Sequence, residues 1–353
     1  MKPAQGSPMQ DAVPAMSVVV ATERYETVRT LIRHLRAQTV QGQLELIIAA
    51  PSTETLGLDP ADLEGFHRVR VVAVGRVGVV GWARAAAVRQ TTAPIVALTE
   101  SHAFPVPEWA ESLIAAHREP WAVVGPSMRN ANPATMISWA NLLLDYGPWV
   151  EHRGGEAGDV PGHNSAYKRE ILLGCGPELE ALMEIETILH WELHRKGHRF
   201  CVEPRATIYH VNVSLPSVWL AERWHAGRVF AASRARGWSW ARRLLFAAGS
   251  PLIPLIRTRR IVGQIRRAGL GRRLLPRVLP ALVTSLVVSA AGEMIGYAAG
   301  AGDSWAFVYR LELYKLNFVS RSEREAILKR AATATAADRA AGGLTARPSG
   351  TGA

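Results

Sequence analysis

The stretch IVALTESHAFPVPEWAESLI, Ile95 to Ile114, decides how the rest of the chain is read. An apolar run of the kind that forms a buried strand ends abruptly at Glu100 and His102. Two prolines follow before a new apolar pattern begins. An acid and a histidine one residue apart, where a strand leaves the core, are placed to meet a ligand.

Working outward, the same kind of run recurs upstream. MSVVVAT (16–22), LELIIAAPS (44–52) and RVRVVAVG (68–75) read as buried strands. Between the first two, ETVRTLIRHLRAQT (26–39) puts Val28, Leu31, Ile32 and Leu35 on one helical stripe. APIVALTE (93–100) is the fourth strand. Strands alternating with helices, up to about Val211, predict βαβ units and a largely parallel α/β sheet. Such sheets bind ligands at the carboxyl ends of their strands, and Glu100 and His102 lie at one such end.

Composition narrows the function. A chain of 353 residues is long enough for a large core and an appendage. Two cysteines, Cys175 and Cys201, make no disulfide framework and suit a reducing compartment. The formal charge of +11 is concentrated: fourteen arginines, no lysine and no acid fall between Arg223 and Arg277. One basic block flanked by apolar segments suits an anionic membrane surface better than nucleic acid. The glycines of GRVGVVG (75–81) lack the G-x-G-x-x-G spacing, so a dinucleotide site is not indicated.

The order of the pieces resembles the family 2 glycosyltransferases of the GT-A fold. The resemblance rests on SVVVATERYETVRTLIRHL, LELIIAAPS, GVVGWARAAAVRQTTAPIVALTESHAFPVPEWAESLI, VPGHNSAYKREIL and ETILHWELHRKGHRFCVEPRATIYHVN. It covers about residues 16 to 230 and is strong in order and spacing, weak in literal identity. It implies a nucleotide-sugar donor, transfer with inversion and a divalent cation, Mn or Mg. Glu100-Ser101-His102 falls on the family's Asp-x-Asp position, whose carboxylates hold the cation against the diphosphate. His210 takes the place of the family's strand-end histidine as a third metal ligand. Thr22, Glu23 and Arg84 are implied donor contacts, beside Glu100 and His102. His163 and Asn164 are implied on the acceptor side, with Trp109. The catalytic base is implied about eleven residues before the glycine of the R-x-x-G-type turn. Counting back from Gly197 gives Glu186 as first choice and Glu184 as the alternative. The chain also departs from the pattern: its second strand ends in Ala49-Ala50-Pro51, where the family often has an acid, and Ala85 replaces an asparagine after Arg84.

Residues 1–15 read as a disordered leader, 16–230 as the GT-A domain, 231–330 as an arginine-rich helical region associated with the membrane, and 331–353 as a disordered tail. LLFAAGSPLIPLI (244–256) is too short to span a bilayer of about 30 Å and reads as interfacial. Residues 279–302 have the length to span, but Glu293 interrupts them, so that acid is expected to face a partner or the segment to lie shallow. A tethered catalytic domain on the cytoplasmic face of the cell membrane predicts a lipid-linked or glycan acceptor. Two rival readings are a degenerate GT-A domain acting as a scaffold and a nucleic-acid binder. Only the isoelectric point favours the latter.

Overall fold

The structure, a computed structural model, describes residues 13–54 and 56–330. The expected tail and most of the expected leader lie outside the described residues. Nine strands form one sheet: β1 (Met16–Ala21), β2 (Leu44–Ala50), β3 (Arg68–Ala73), β4 (Ile95–Leu98), β5 (Ala103–Pro105), β6 (Val123–Asn130), β7 (Gly155–Ala157), β8 (Ala166–Lys168) and β9 (Phe200–His210). Their order is β3-β2-β1-β4-β8-β6-β9-β5, with β7 on β9. The β3-β2-β1-β4 half is parallel, whereas β8 runs antiparallel to both β4 and β6. β1, β2 and β4 are buried at every position, which is why they read as unbroken apolar runs. β3 differs from expectation. It is the sheet edge, half exposed, and Arg68 and Arg70 alternate with its valines.

The helices of the α/β body are α1 (Tyr25–Arg36), α2 (Pro60–Leu63), α3 (Val80–Arg89), α4 (Trp109–Ala116), α5 (Met136–Tyr146), α6 (Arg169–Leu173), α7 (Leu179–Leu182) and α8 (Glu186–Arg195). After β9 come α9 (Pro216–Arg234), α10 (Trp240–Gly249), α11 (Ile253–Arg267), α12 (Gly271–Ala299) and α13 (Ser304–Leu313). Together they make a GT-A α/β body followed by a C-terminal helical region. The expected division after residue 230 falls inside α9, which continues to Arg234.

α12 is long and apolar enough to cross a membrane by length and composition. It nevertheless packs much of its length against α9. A Cβ on Gly292 would sit 2.2 Å from the Trp224 carbonyl oxygen, and one on Gly296 would sit 2.3 Å from that of Arg228. Only glycine lets the backbones approach this closely. Leu274, Val278, Leu282 and Leu286 of α12 join the same core cluster as β1, β2 and α5. Glu293 is buried and faces Arg257 at 3.8 Å, the first of the two arrangements expected for it. The most exposed of the large apolar side chains of the region are on α10, α11 and the turn between them, Trp240, Leu244, Leu245, Leu252, Leu255 and Ile256, and α12 adds Val283, Val287 and Met294.

Candidate active site

Strand pairing assembles the first cluster. β5 runs antiparallel to β9 with Ala103 opposite His210, and the Val211 amide donates to the His102 carbonyl at 3.0 Å. This register brings His102, one residue before β5, beside the last residue of β9. Glu100 sits two residues past the end of β4. Its Oε1 lies 3.6 Å from His102 Nε2 and its Oε2 lies 3.4 Å from His210 Nε2. All three side chains are buried, and one ligand atom from each lies within 4.8 Å of the others.

The fit to a divalent cation can be judged from the polar atoms. His210 Nδ1 donates to the Asn212 side-chain oxygen at 2.9 Å, so Nε2 is the ring nitrogen turned to Glu100. His210 Nε2 and both ring nitrogens of His102 are buried without a hydrogen-bond partner. Buried polar atoms are rarely left so. Burial holds the His102 imidazole well below its ordinary pKa, so it offers a lone pair. Burial pushes the Glu100 carboxyl upward, but the surrounding histidines, His102 first, outweigh it and hold the group well below the ordinary carboxylate range. Asn164 and Tyr146 donate to Glu100 Oε2 at 2.6 and 3.2 Å. A divalent ion among these atoms would give each unpartnered ring nitrogen and the carboxylate a common partner. The residues therefore fit a divalent ion, and the imidazoles favour Mn over Mg.

A second cluster centres on Glu186. Ile185 is extended, and the helix α8 starts at Glu186, so Glu184 and Glu186 point to different surroundings. Glu186 Oε1 accepts from Arg84 at 2.8 Å and from His163 at 2.6 Å, while Oε2 has no partner. Burial raises the Glu186 carboxyl, but His163 and then Arg84 pull it below its ordinary value. His163 is raised to about 9: burial works against its charge, and Glu186 and Glu100 overcome that. Gly162 makes the approach possible, because a Cβ there would lie 2.4 Å from Glu186 Cβ. Glu100, His210, His163 and Glu186 line one cleft of about 670 Å³, closed on its far side by residues of α9, α11, α12 and α13.

Several expected residues are placed otherwise. Arg84, expected at a donor phosphate, is bound instead to Glu186 and to the Thr99 carbonyl. Glu184 turns to Trp82 at 3.0 Å and Arg236 at 2.5 Å and does not line the cleft. Thr22 is buried, its hydroxyl engaged by Arg24 and Thr27 within its own turn. Glu23 accepts from Tyr314 at 2.5 Å. Asn164, expected on the acceptor side, is wholly buried and serves Glu100. Trp109, also expected there, is wholly buried in the core, because it opens α4 against the sheet. Sequence reasoning missed Tyr146, Asn212 and Glu312. Tyr146 and Glu312 reach the site through the fold, whereas Asn212 stands two residues past His210 and bonds its ring directly.

The strand order, the curled mixed sheet and the clusters at the strand ends define a GT-A architecture of the nucleotide-diphospho-sugar transferase class. Residues 17–174 match the family model described as Glycosyl transferase family 2. That match supports sugar transfer as its activity. Among solved structures, the chain is similar to the mannosyltransferase PcManGT from Pyrobaculum calidifontis in complex with GDP-Man and Mn2+. The identity is 17%, over 96% of this chain and 90% of that one, with a TM-score of 0.46. It is also similar to S. aureus TarS 1–349 in complex with UDP, at 16% identity over 82% and 90% of the chains and a TM-score of 0.42. No curated protein matches the chain at a significant level.

Proposed function

We propose that this protein transfers a sugar, with inversion, from a nucleoside-diphosphate sugar to a hydroxyl of a lipid-linked or glycan acceptor. The reading rests on one observation above all. Glu186, with one oxygen unpartnered, lines the same cleft as Glu100 and His210 of the Glu100–His102–His210 cluster. Glu186 stays ionised because Arg84 and His163 hold Oε1, which leaves Oε2 to take the acceptor proton. As the acceptor oxygen bonds to the anomeric carbon, the bond from that carbon to the diphosphate breaks and its electron pair leaves with the phosphate. Glu100, His102 and His210 would hold a divalent cation, which when bound neutralises charge developing on the leaving diphosphate. Attack and departure on opposite sides of the sugar carbon give inversion.

The reading places the enzyme at the cytoplasmic face of the cell membrane, where the apolar edge of α10 and α11 and the arginine block meet anionic lipid. One observation favours the alternative, a degenerate GT-A domain acting as a non-catalytic binding or scaffold subunit. β2 ends in buried Ala49 and Ala50, without an acid to meet a nucleobase, and the Glu23 carboxylate at the end of β1 is engaged by Tyr314.

One experiment separates the two. Nucleoside diphosphates are titrated into wild type and Glu186→Gln with and without Mn2+, and transfer is assayed on the same samples. The expected result is cation-dependent binding in both proteins and loss of transfer only in the variant, because a base acts in the transition state and adds little ground-state affinity. Binding without transfer in the wild type, across a panel of sugar donors and acceptors, would establish the scaffold. Binding that ignores a chelator would remove the cation from the reading.

A further inference from the structure

The segment after α12 returns across the site. α13 and the turn that follows it, up to Phe318, lie over the carboxyl ends of the first strands. The segment is fastened there at several points. The Tyr309 hydroxyl donates to the Val77 carbonyl, Tyr314 donates to Glu23, and Leu313 is buried in the same core cluster as Val77 and Ala21. This anchorage fixes Glu312 beside His102. The two oxygens of its carboxylate have different surroundings. Oε1 accepts from Lys315 at 2.9 Å, and Oε2 faces His102 Nε2 at 3.7 Å.

His102 Nε2 therefore stands between two carboxylate oxygens, Glu100 at 3.6 Å and Glu312 at 3.7 Å, and makes a hydrogen bond to neither. Those separations are long for hydrogen bonds, yet they suit neighbouring donors around one ion. Two atoms each about 2.1 Å from a cation, at coordination angles between a right angle and the trigonal angle, stand about 3.0–3.6 Å apart. Glu312 lies outside the group of three whose ligand atoms are within 4.8 Å of one another, so it must move inward to join them. Lys315 holds one oxygen of Glu312 and leaves the other directed at the cluster. Outer partners commonly orient metal-ligating carboxylates in this way.

We propose that Glu312 is a fourth ligand of the cation held by Glu100, His102 and His210. The C-terminal segment thereby completes the active site, in addition to any part it has in attachment. This rests on the cation reading of those three residues, and the test separates the two. Mn2+ binding to the full-length protein is measured by electron paramagnetic resonance, without donor or acceptor, in wild type, Glu312→Gln, Glu100→Gln and Tyr309→Phe. Glu312→Gln should weaken Mn2+ binding by about tenfold or more, whereas Tyr309→Phe, which releases another anchor of the same segment, should not. If Glu312→Gln binds Mn2+ like wild type while Glu100→Gln does not, Glu312 is no ligand and the three-residue site stands. If Glu100→Gln also binds normally, the cation reading itself falls. Equal weakening by Glu312→Gln and Tyr309→Phe would assign the loss to a loosened segment and overturn the proposal. Should Glu312→Gln fail to fold, Glu312→Asp keeps a carboxylate for Lys315 but draws it back from His102, and must show the same loss.

Discussion

Glu186 keeps its charge at 2% exposure because Arg84, itself 4% exposed, and His163 share one of its oxygens. Breaking such a buried pair on one side leaves an uncompensated charge and costs about 3–5 kcal/mol, so Arg84 is as much a structural partner as a site residue. His163 adds a pH dependence whose sign follows from its shift. Folding raises its pKa from 6.5 to about 9, so the stabilisation it contributes is complete below about pH 6.5 and is lost as the pH rises through about 9. The melting temperature should fall across that window in the wild type, and the fall should flatten in His163→Gln. Parallel pH–melting curves for the two proteins would show that the ion pair contributes nothing. The individual residues of this cleft were partly legible. Glu186, His163, Glu100, His102 and His210 each followed from spacing within a family-like order. What Arg84 touches did not, because its partner lies 102 positions further along the chain, and only the placement of α3 against α8 brings them together.

At the scale of elements, legibility tracks burial. β1, β2 and β4 are covered on both faces, so hydrophobicity alone marked them, whereas β3 alternates because one edge of it meets water. Three-residue strands such as β5, β7 and β8 owe their existence to partners and carry too few residues for a pattern. β5 matters most among them, since its register with β9 places His102 beside His210. α12 shows the opposite limit. Its apolar composition resembles a membrane span, and what distinguishes it is the row of small residues that meets α9. A methyl group added at Gly292 would fall 2.2 Å from the Trp224 carbonyl oxygen, a backbone atom that cannot swing aside. Gly292→Ala should therefore lower stability by about 1–3 kcal/mol in denaturant unfolding, the usual cost of overpacking. A loss near zero would mean that the α9–α12 contact is looser than the close approach implies. Because α9 and α12 both wall the cleft, the same variant should also alter its acceptor side.

For the whole molecule, the proposed attachment to a membrane needs a surface to carry it. The 279–302 segment was the natural candidate from sequence, but its glycine face is taken by α9, and Glu293 is paired with Arg257. The most exposed apolar side chains are on α10 and α11, where Leu245 is 70% and Leu255 74% exposed, although α12 keeps Val283, Val287 and Met294 in water as well. Arg242, Arg259, Arg260, Arg266 and Arg267 lie exposed on the same two helices. Two forces of different salt dependence then act on one edge. Each arginine close to an anionic surface contributes about 1 kcal/mol and is screened at high salt, while apolar side chains entering the lipid are not screened. Wild type should sediment with anionic liposomes at low salt and remain largely bound at about 1 M salt, where the Debye length shrinks to about 3 Å. A variant with Leu245, Leu255 and Ile256 replaced by serine should bind at low salt and be released by high salt. These side chains are exposed, so the changes leave the core intact, and equal melting temperatures would confirm that. Complete release of the wild type by salt would reduce the attachment to charge alone, and failure of the wild type to bind at any salt would detach the enzyme from the membrane and weaken the case for a lipid-linked acceptor.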